Sequence, residues 1–151
     1  MRIGVISDTH GLLRPEALAA LAGVDHVLHA GDVGDPTILD ILLGIAPVIA
    51  VRGNIDTGGP CSTLPATEVL ELGGLTLYML HSAADLDLDP SAAGFAAVIS
   101  GHSHKPQIKY RNSVLYFNPG SAGPRRFTLP VSVGCLTIRD AVLHPELITL
   151  L

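Results

Sequence analysis

Short apolar runs recur along the whole chain of 151 residues, each closed by a polar or glycine-containing stretch. Ile3 to Ser7, Val24 to His29 and Pro47 to Val51 are strand-length and rich in β-branched residues, so they predict buried strands. Between them the period lengthens to that of a helix. Pro15 opens the first helix and Gly23 closes it, with Leu18, Leu21 and Ala22 on one face. Asp35-Pro36 opens the second as a capping carboxylate followed by a proline suited to the first helical position, and Ile38, Leu39, Ile41 and Leu42 precede a stop at Gly44. Strand, helix, strand, helix, strand with short connections predicts parallel pairing.

The texture changes after residue 56. Residues 57–66 carry Gly58, Gly59, Pro60 and Pro65 and read as a loop passing near a site. Glu68 to Leu72 and Leu75 to Leu80 flank Gly73-Gly74 and read as a hairpin. Residues 83–95, where Asp85, Asp87 and Asp89 alternate with leucine, read as a solvated loop or short helix. They lack the glycine and terminal Glu of an EF-hand calcium loop. Strands are expected at 96–100, 107–110, 113–117, 131–138 and 142–150, with reversals at Asn112-Ser113 and Asp140-Ala141. The economical architecture is an α/β (α+β) four-layer αββα sandwich, two mixed β-sheets face to face with helices outside, in one domain spanning 1–151.

Hydrophobic residues make up 48% of the chain and aromatic ones 4%, so Ala, Val, Ile and Leu must fill the core. A domain of this length buries about 70% of the surface its unfolded chain exposes. The formal net charge of −5, with no long Lys or Arg run, argues against a nucleic-acid polymer or an anionic membrane as partner. Cys61 and Cys135 are isolated, with no metal-ligand spacing, and are expected reduced. With no signal-like segment and no apolar window of about 18 residues, a cytoplasmic protein is expected.

The candidate chemistry sits at the strand ends. Asp8-Thr9-His10 follows the first strand, Gly31-Asp32 the second and Gly53-Asn54 the third; His81 and Gly101-His102-Ser103-His104 follow later ones. In open α/β sheets ligands bind beyond the carboxyl ends of the strands, so these ends imply one shared site. Asp8, His10, Asp32, Asn54, His81, His102 and His104 combine carboxylate, amide oxygen and imidazole without thiolate. That set suits divalent Mn, Fe, Co, Ni or Zn, and seven ligands exceed the needs of one ion. His26, His29 and His144 also border apolar runs and read as structural, and Asp35 reads as the helix cap.

Ser-Asp-Thr-His at 7–10, His-Ala-Gly-Asp at 29–32, Arg-Gly-Asn at 52–54, Gly-His-Ser-His at 101–104 and Asn-Pro-Gly-Ser at 118–121, with Pro124-Arg125 behind, make the chain resemble the calcineurin-like metallophosphoesterases. More specifically, the chain resembles their small YfcE and MJ0936-type phosphodiesterases. It implies two divalent ions, manganese first, one on Asp8, His10 and His104, the other on Asn54, His81 and His102, with Asp32 between them. It also implies attack by a metal-bound hydroxide on a small or activated phosphodiester, with Asp32, Asn54 and His81 catalytic, and it allows a homodimer. The ions outweigh the charge of Asp8 and Asp32, so an acidic protein presents a cationic hole. Asn54, the amides around Gly120 and the Arg125 guanidinium are candidate substrate contacts.

Two positions depart from the wider superfamily. Ile55 stands where many members carry a histidine regarded as the leaving-group proton donor, which leaves Asp56, a water or nothing for that role and predicts a preference for aryl over alkyl esters. Ser82 stands where relatives commonly place glycine. Competing readings are a scaffold of the Vps29 type and, among enzymes, a phosphomonoesterase, pyrophosphatase or nucleotide phosphatase. Retention of every ligand position favours catalysis.

Overall fold

The computed structural model describes residues 1–151. Ten strands form two five-stranded sheets. The first contains β1 (Arg2–Ile6), β2 (His26–His29) and β3 (Val48–Ala50) in parallel, then β9 (Ser132–Arg139) and β10 (Val142–Thr149) added antiparallel beyond β1, in the order β10-β9-β1-β2-β3. The second contains β4 (Thr67–Leu72), β5 (Leu75–Leu80), β6 (Ala97–Ile99), β7 (Gln107–Arg111) and β8 (Val114–Asn118), in the order β4-β5-β6-β8-β7. Its three inner strands are parallel, and β4 and β7 are antiparallel edges. Both sheets are therefore mixed, as the alternating pattern followed by hairpins required.

The inner faces meet in one core of Ile3, Val5, Leu28 and Leu136 from the first sheet against Leu77, Met79, Ile99 and Phe117 from the second. Each such side chain, fully removed from water, contributes roughly 1.5–3 kcal/mol of transfer free energy. On the outer face of the first sheet lie α1 (Pro15–Ala20) and α2 (Pro36–Leu43), packed through Ala17, Leu21, Ile38 and Leu42. Asp35 caps α2 by accepting from the Thr37 amide at 3.0 Å. The buried stripes are narrower than expected: Ala22 and Ile41 are exposed, because α1 ends at Ala20 before the turn at Gly23 and in α2 only the i, i+4 pair Ile38/Leu42 is fully buried, with Leu39 packed beside it half-buried.

The other outer face is covered by the segment expected as a solvated loop or short helix. Tyr78, Leu80, Val98 and Val114 are covered by Leu86, Leu88 and Phe95 from residues 83–95, whose only helical element is the 3₁₀ turn Ala83–Asp85. A leucine period of two cannot supply a helix face, so this layer is a strap. No helix is long and apolar enough to cross a membrane.

Candidate metal centre

All seven predicted ligands meet at one end of the sandwich. Asp8 and His10 leave β1, Asp32 leaves β2, Asn54 follows β3, His81 ends β5, and His102 and His104 follow β6. Five of them, Asp8, His10, Asp32, His102 and His104, adopt positive φ between 46° and 70°. L-residues reach this region at a cost, and such strain is held where the surrounding structure over-determines it, commonly at functional sites. The turns aim side chains back toward the sheet edge when a continued strand would have carried them away.

The donor atoms form two overlapping groups, with Asp8 common to Asp8, His10 and His104 on one side and Asp8, Asp32 and His81 on the other. In the first, Asp8 Oδ1 lies 3.2 Å from His104 Nε2 and 3.6 Å from His10 Nε2, which is 3.4 Å from Asp32 Oδ2. In the second, Asp32 Oδ2 lies 3.3 Å from His81 Nε2, which is 3.0 Å from Asn54 Oδ1 and 3.3 Å from His102 Nδ1. An ion bound at about 2.1 Å separates neighbouring ligand atoms by about 3.0 Å in an octahedron and about 3.4 Å in a tetrahedron. Asp8 Oδ1 and His10 Nε2 are buried with no hydrogen-bond partner. Two carboxylates buried to 0% and 2% exposure call for compensating positive charge, so the residues present fit divalent metal.

A surrounding set of groups holds these donors. Ser7 Oγ donates to Asp8 Oδ2 at 2.7 Å and the His102 amide donates to the same oxygen at 3.0 Å, leaving Oδ1 free. The Ile55 amide donates to Asp32 Oδ1 at 3.0 Å, leaving Oδ2 for both donor groups. His81 Nδ1 donates to the Ala30 carbonyl at 2.7 Å, which turns Nε2 into the centre. Glycine is required where backbone comes this close: a Cβ on Gly53 would overlap Asp32 Oδ1, and one on Gly101 would overlap Ser7 Oγ and crowd Asp8.

The charges follow from these contacts. Burial pushes the Asp32 pKa up, but the hydrogen bonds from His81 and the Ile55 amide outweigh it and hold the carboxyl below its ordinary value. Burial pulls His81 down, yet its bonds to Asp32 and the Ala30 carbonyl raise it overall. Burial holds His104 below its ordinary value, with the Arg126 charge acting in the same direction.

Three of the wider site assignments change. Asp56 is no proton donor: its Oδ2 accepts from the Gly53 and Val33 amides at 2.9 and 3.1 Å and its Oδ1 from the Gly34 amide at 3.1 Å, so it ties the Asp32 loop to the Asn54 loop. The Gly120 amide does not face the centre, because it donates to Asn118 Oδ1 at 2.9 Å. Asn118 in turn donates to the Gly101 carbonyl, and Ser121 Oγ donates to the Asp8 carbonyl, so Asn118-Pro119-Gly120-Ser121 braces two ligand loops. Arg125 stands beside the centre, in a pocket of about 160 Å³ with His10 and His104, but its Nη2 donates to the Leu151 carbonyl. Arg126 lines the same pocket.

His29, read as structural, has a specific post. The Gly31 amide donates to Nδ1 at 3.1 Å, so Nε2 carries the hydrogen and donates to Thr9 Oγ1 at 3.0 Å. The ring is fully buried, which lowers its pKa to about 4. Its position three residues before Asp32 was visible in the sequence, but its partners were not.

A larger cleft of about 630 Å³ opens on the other side of the centre, against Asn54, His81 and His102.

The calcineurin-like phosphoesterase superfamily domain matches residues 1–141. A probable metallophosphoesterase of Methanocaldococcus jannaschii is 37% identical over 153 residues, covering 93% of this chain and 77% of that protein. Among solved structures, an archaeal phosphodiesterase superposes with a TM-score of 0.81 at 24% identity, covering 98% of this chain and 100% of that one. Vps29 from Entamoeba histolytica in complex with zinc superposes with a TM-score of 0.75 at 24% identity, covering 99% of both chains.

Proposed function

Because the chain belongs to the calcineurin-like phosphoesterase superfamily, we propose that it is a two-metal phosphodiesterase acting on small or activated phosphodiesters. One relation supports this reading above all: Asp32 Oδ2 stands 3.4 Å from His10 Nε2 and 3.3 Å from His81 Nε2, within reach of two ions at once. Asp8, His10 and His104 would hold one ion, Asn54, His81 and His102 the other. When bound, two divalent ions, manganese first, lower the pKa of water at the site, orient phosphoryl oxygens and offset charge developing in an in-line displacement.

The chain's own residues set up the rest. With Oδ1 of Asn54 turned to the imidazoles of His81 and His102, its amino group is left to donate to a phosphoryl oxygen. Arg125 and Arg126 add positive charge on the side of His10 and His104. No side chain stands ready to protonate the departing alkoxide, since Ile55 is apolar and Asp56 is committed to three amides. Esters whose leaving group needs no proton are therefore the favoured substrates.

Metal binding alone does not separate an enzyme from a scaffold, since the Vps29 relative is itself a zinc complex. Turnover does. Metal-stripped protein incubated with bis(p-nitrophenyl) phosphate is expected to be inactive, to regain activity with Mn²⁺, and to lose it in Asp32→Ala. Hydrolysis that needs neither the metal nor Asp32 would overturn the reading.

A further inference from the structure

The large cleft carries chemistry that a phosphate does not need. Its walls include Asp85 and Asp87, whose carboxylates make neither hydrogen bond nor ion pair within the protein, whereas Asp89 in the same run accepts from the amides of Ser91 and Ala92. Tyr78 also lines the cleft. It is buried to 7% exposure, one face is stacked on Phe95 with centroids 5.3 Å apart, and its hydroxyl finds no partner in the protein. The cleft's one basic residue, Arg52, is tied through Nη1 to the Leu64 carbonyl at 3.0 Å and lies on the segment carrying Asn54, next to where phosphate would bind.

Carboxylates beside an anion-binding centre repel a second phosphate and attract a cation, and an aromatic side chain with a free hydroxyl complements an ammonium group. We propose that this cleft binds the ammonium group of an amino-alcohol esterified to the scissile phosphate, held by Asp85, Asp87 and Tyr78. The inference rests on the phosphodiesterase reading and narrows its substrate class to phosphodiesters that carry a cationic organic group. Its volume of about 630 Å³ leaves room for such a group beside His81 and His102.

The test compares two chromogenic diesters with the same p-nitrophenol leaving group: p-nitrophenyl phosphocholine and its uncharged isostere, p-nitrophenyl 3,3-dimethylbutyl phosphate. The Mn²⁺-loaded protein is expected to favour the cationic ester in kcat/KM by about tenfold, the combined strength of exposed ion pairs and one cation–π contact. In Asp85→Asn/Asp87→Asn the ratio is expected to fall toward one. Both side chains are exposed and unbonded, so this variant is expected to melt at the wild-type temperature. Titration of phosphocholine into the metal-loaded protein, followed by calorimetry, gives a readout independent of turnover, with affinity expected to drop about tenfold in the double variant. Equal kcat/KM for the two esters in the wild type, a ratio that survives in the double variant, or phosphocholine binding that ignores the substitutions would each overturn the inference. Hydrolysis of bis(p-nitrophenyl) phosphate without any charge preference overturns this inference alone. Its absence with Mn²⁺ present overturns the phosphodiesterase reading.

Discussion

The hydroxyl of Thr9 stands 3.0 Å from Nε2 of His29 and passes its own hydrogen to the Val33 carbonyl at 2.9 Å. Thr9 lies between two ligands on one loop, and His29 receives the Gly31 amide on the other, so one neutral imidazole couples the loops bearing Asp8, His10 and Asp32. Hydrogen bonds that fix the loops behind metal ligands tune affinity, and losing one typically costs about 10–100-fold.

That arrangement depends on pH with a definite sign. The pKa of His29 falls from 6.5 to about 4 on folding, so between these values the unfolded chain binds a proton that the native state refuses. Stability from neutral His29 is present above 6.5 and is lost as the pH falls toward 4, by up to about 3 kcal/mol. Urea unfolding of wild type and His29→Gln at several pH values is expected to show a stability gap that narrows on acidification. A gap independent of pH would contradict the neutral, buried imidazole.

Asp56 is expected to behave as a structural clamp. Asp56→Asn puts an amino group against amides that need an acceptor, which costs about 1–3 kcal/mol for each donor left unsatisfied. The urea midpoint is expected to drop clearly while the ratio of aryl to alkyl diester hydrolysis stays at the wild-type value. Unchanged stability with a selective loss of alkyl turnover would restore Asp56 as the proton donor.

Gly53 and Gly101 are expected to control metal uptake without touching a metal. A methyl group at either position displaces Asp32 or Asp8, respectively. Calorimetric Mn²⁺ titrations of Gly53→Ala and Gly101→Ala are expected to show affinities lower by about 10–100-fold. Wild-type affinity in both would mean that the carboxylates tolerate displacement.

Ile55 is 43% exposed while its amide holds Asp32, so the side chain can change without loss of that bond. Wild type is expected to hydrolyse aryl diesters well and alkyl diesters poorly at neutral pH. Ile55→His is expected to raise alkyl turnover, toward the roughly 10²–10⁴-fold that a placed general acid contributes. Equal wild-type rates on the two ester classes would refute the missing-donor argument.

Ser82, the other departure, lines the large cleft but its hydroxyl bonds to none of the ligands. Metal content of Ser82→Gly, measured after dialysis, is expected to match wild type; a change would show that the hydroxyl crowds or supports His81.

Much of this site was legible because its signals are local. Pro36 after Asp35, Gly73-Gly74 between two apolar runs, and a ligand after each of five strands need only short-range rules of capping, turn geometry and strand-end exposure. The posts of Asp56 and of the Asn118–Ser121 segment are not legible locally because their partners are remote: Asp56 is defined by amides 22 and 23 residues upstream, and the Asn118–Ser121 segment by loops up to 113 residues away. Residues 83–95 read as a solvated loop or short helix, and that they cover Tyr78 is not legible in the sequence, because burial by alternating leucines depends on what lies beneath them.

The chain alone indicated the two-sheet sandwich, the succession of strands along the chain and seven candidate donors, since side-chain period and donor chemistry are carried by neighbouring residues. Tertiary structure decided that Asp32 Oδ2 lies within 3.4 Å of both His10 and His81, that five candidate ligands take left-handed turns, that His29 joins their loops, and which carboxylates remain free beside the cleft. These are relations between atoms far apart along the chain, and only the closure of the two sheets brings them within a few ångströms.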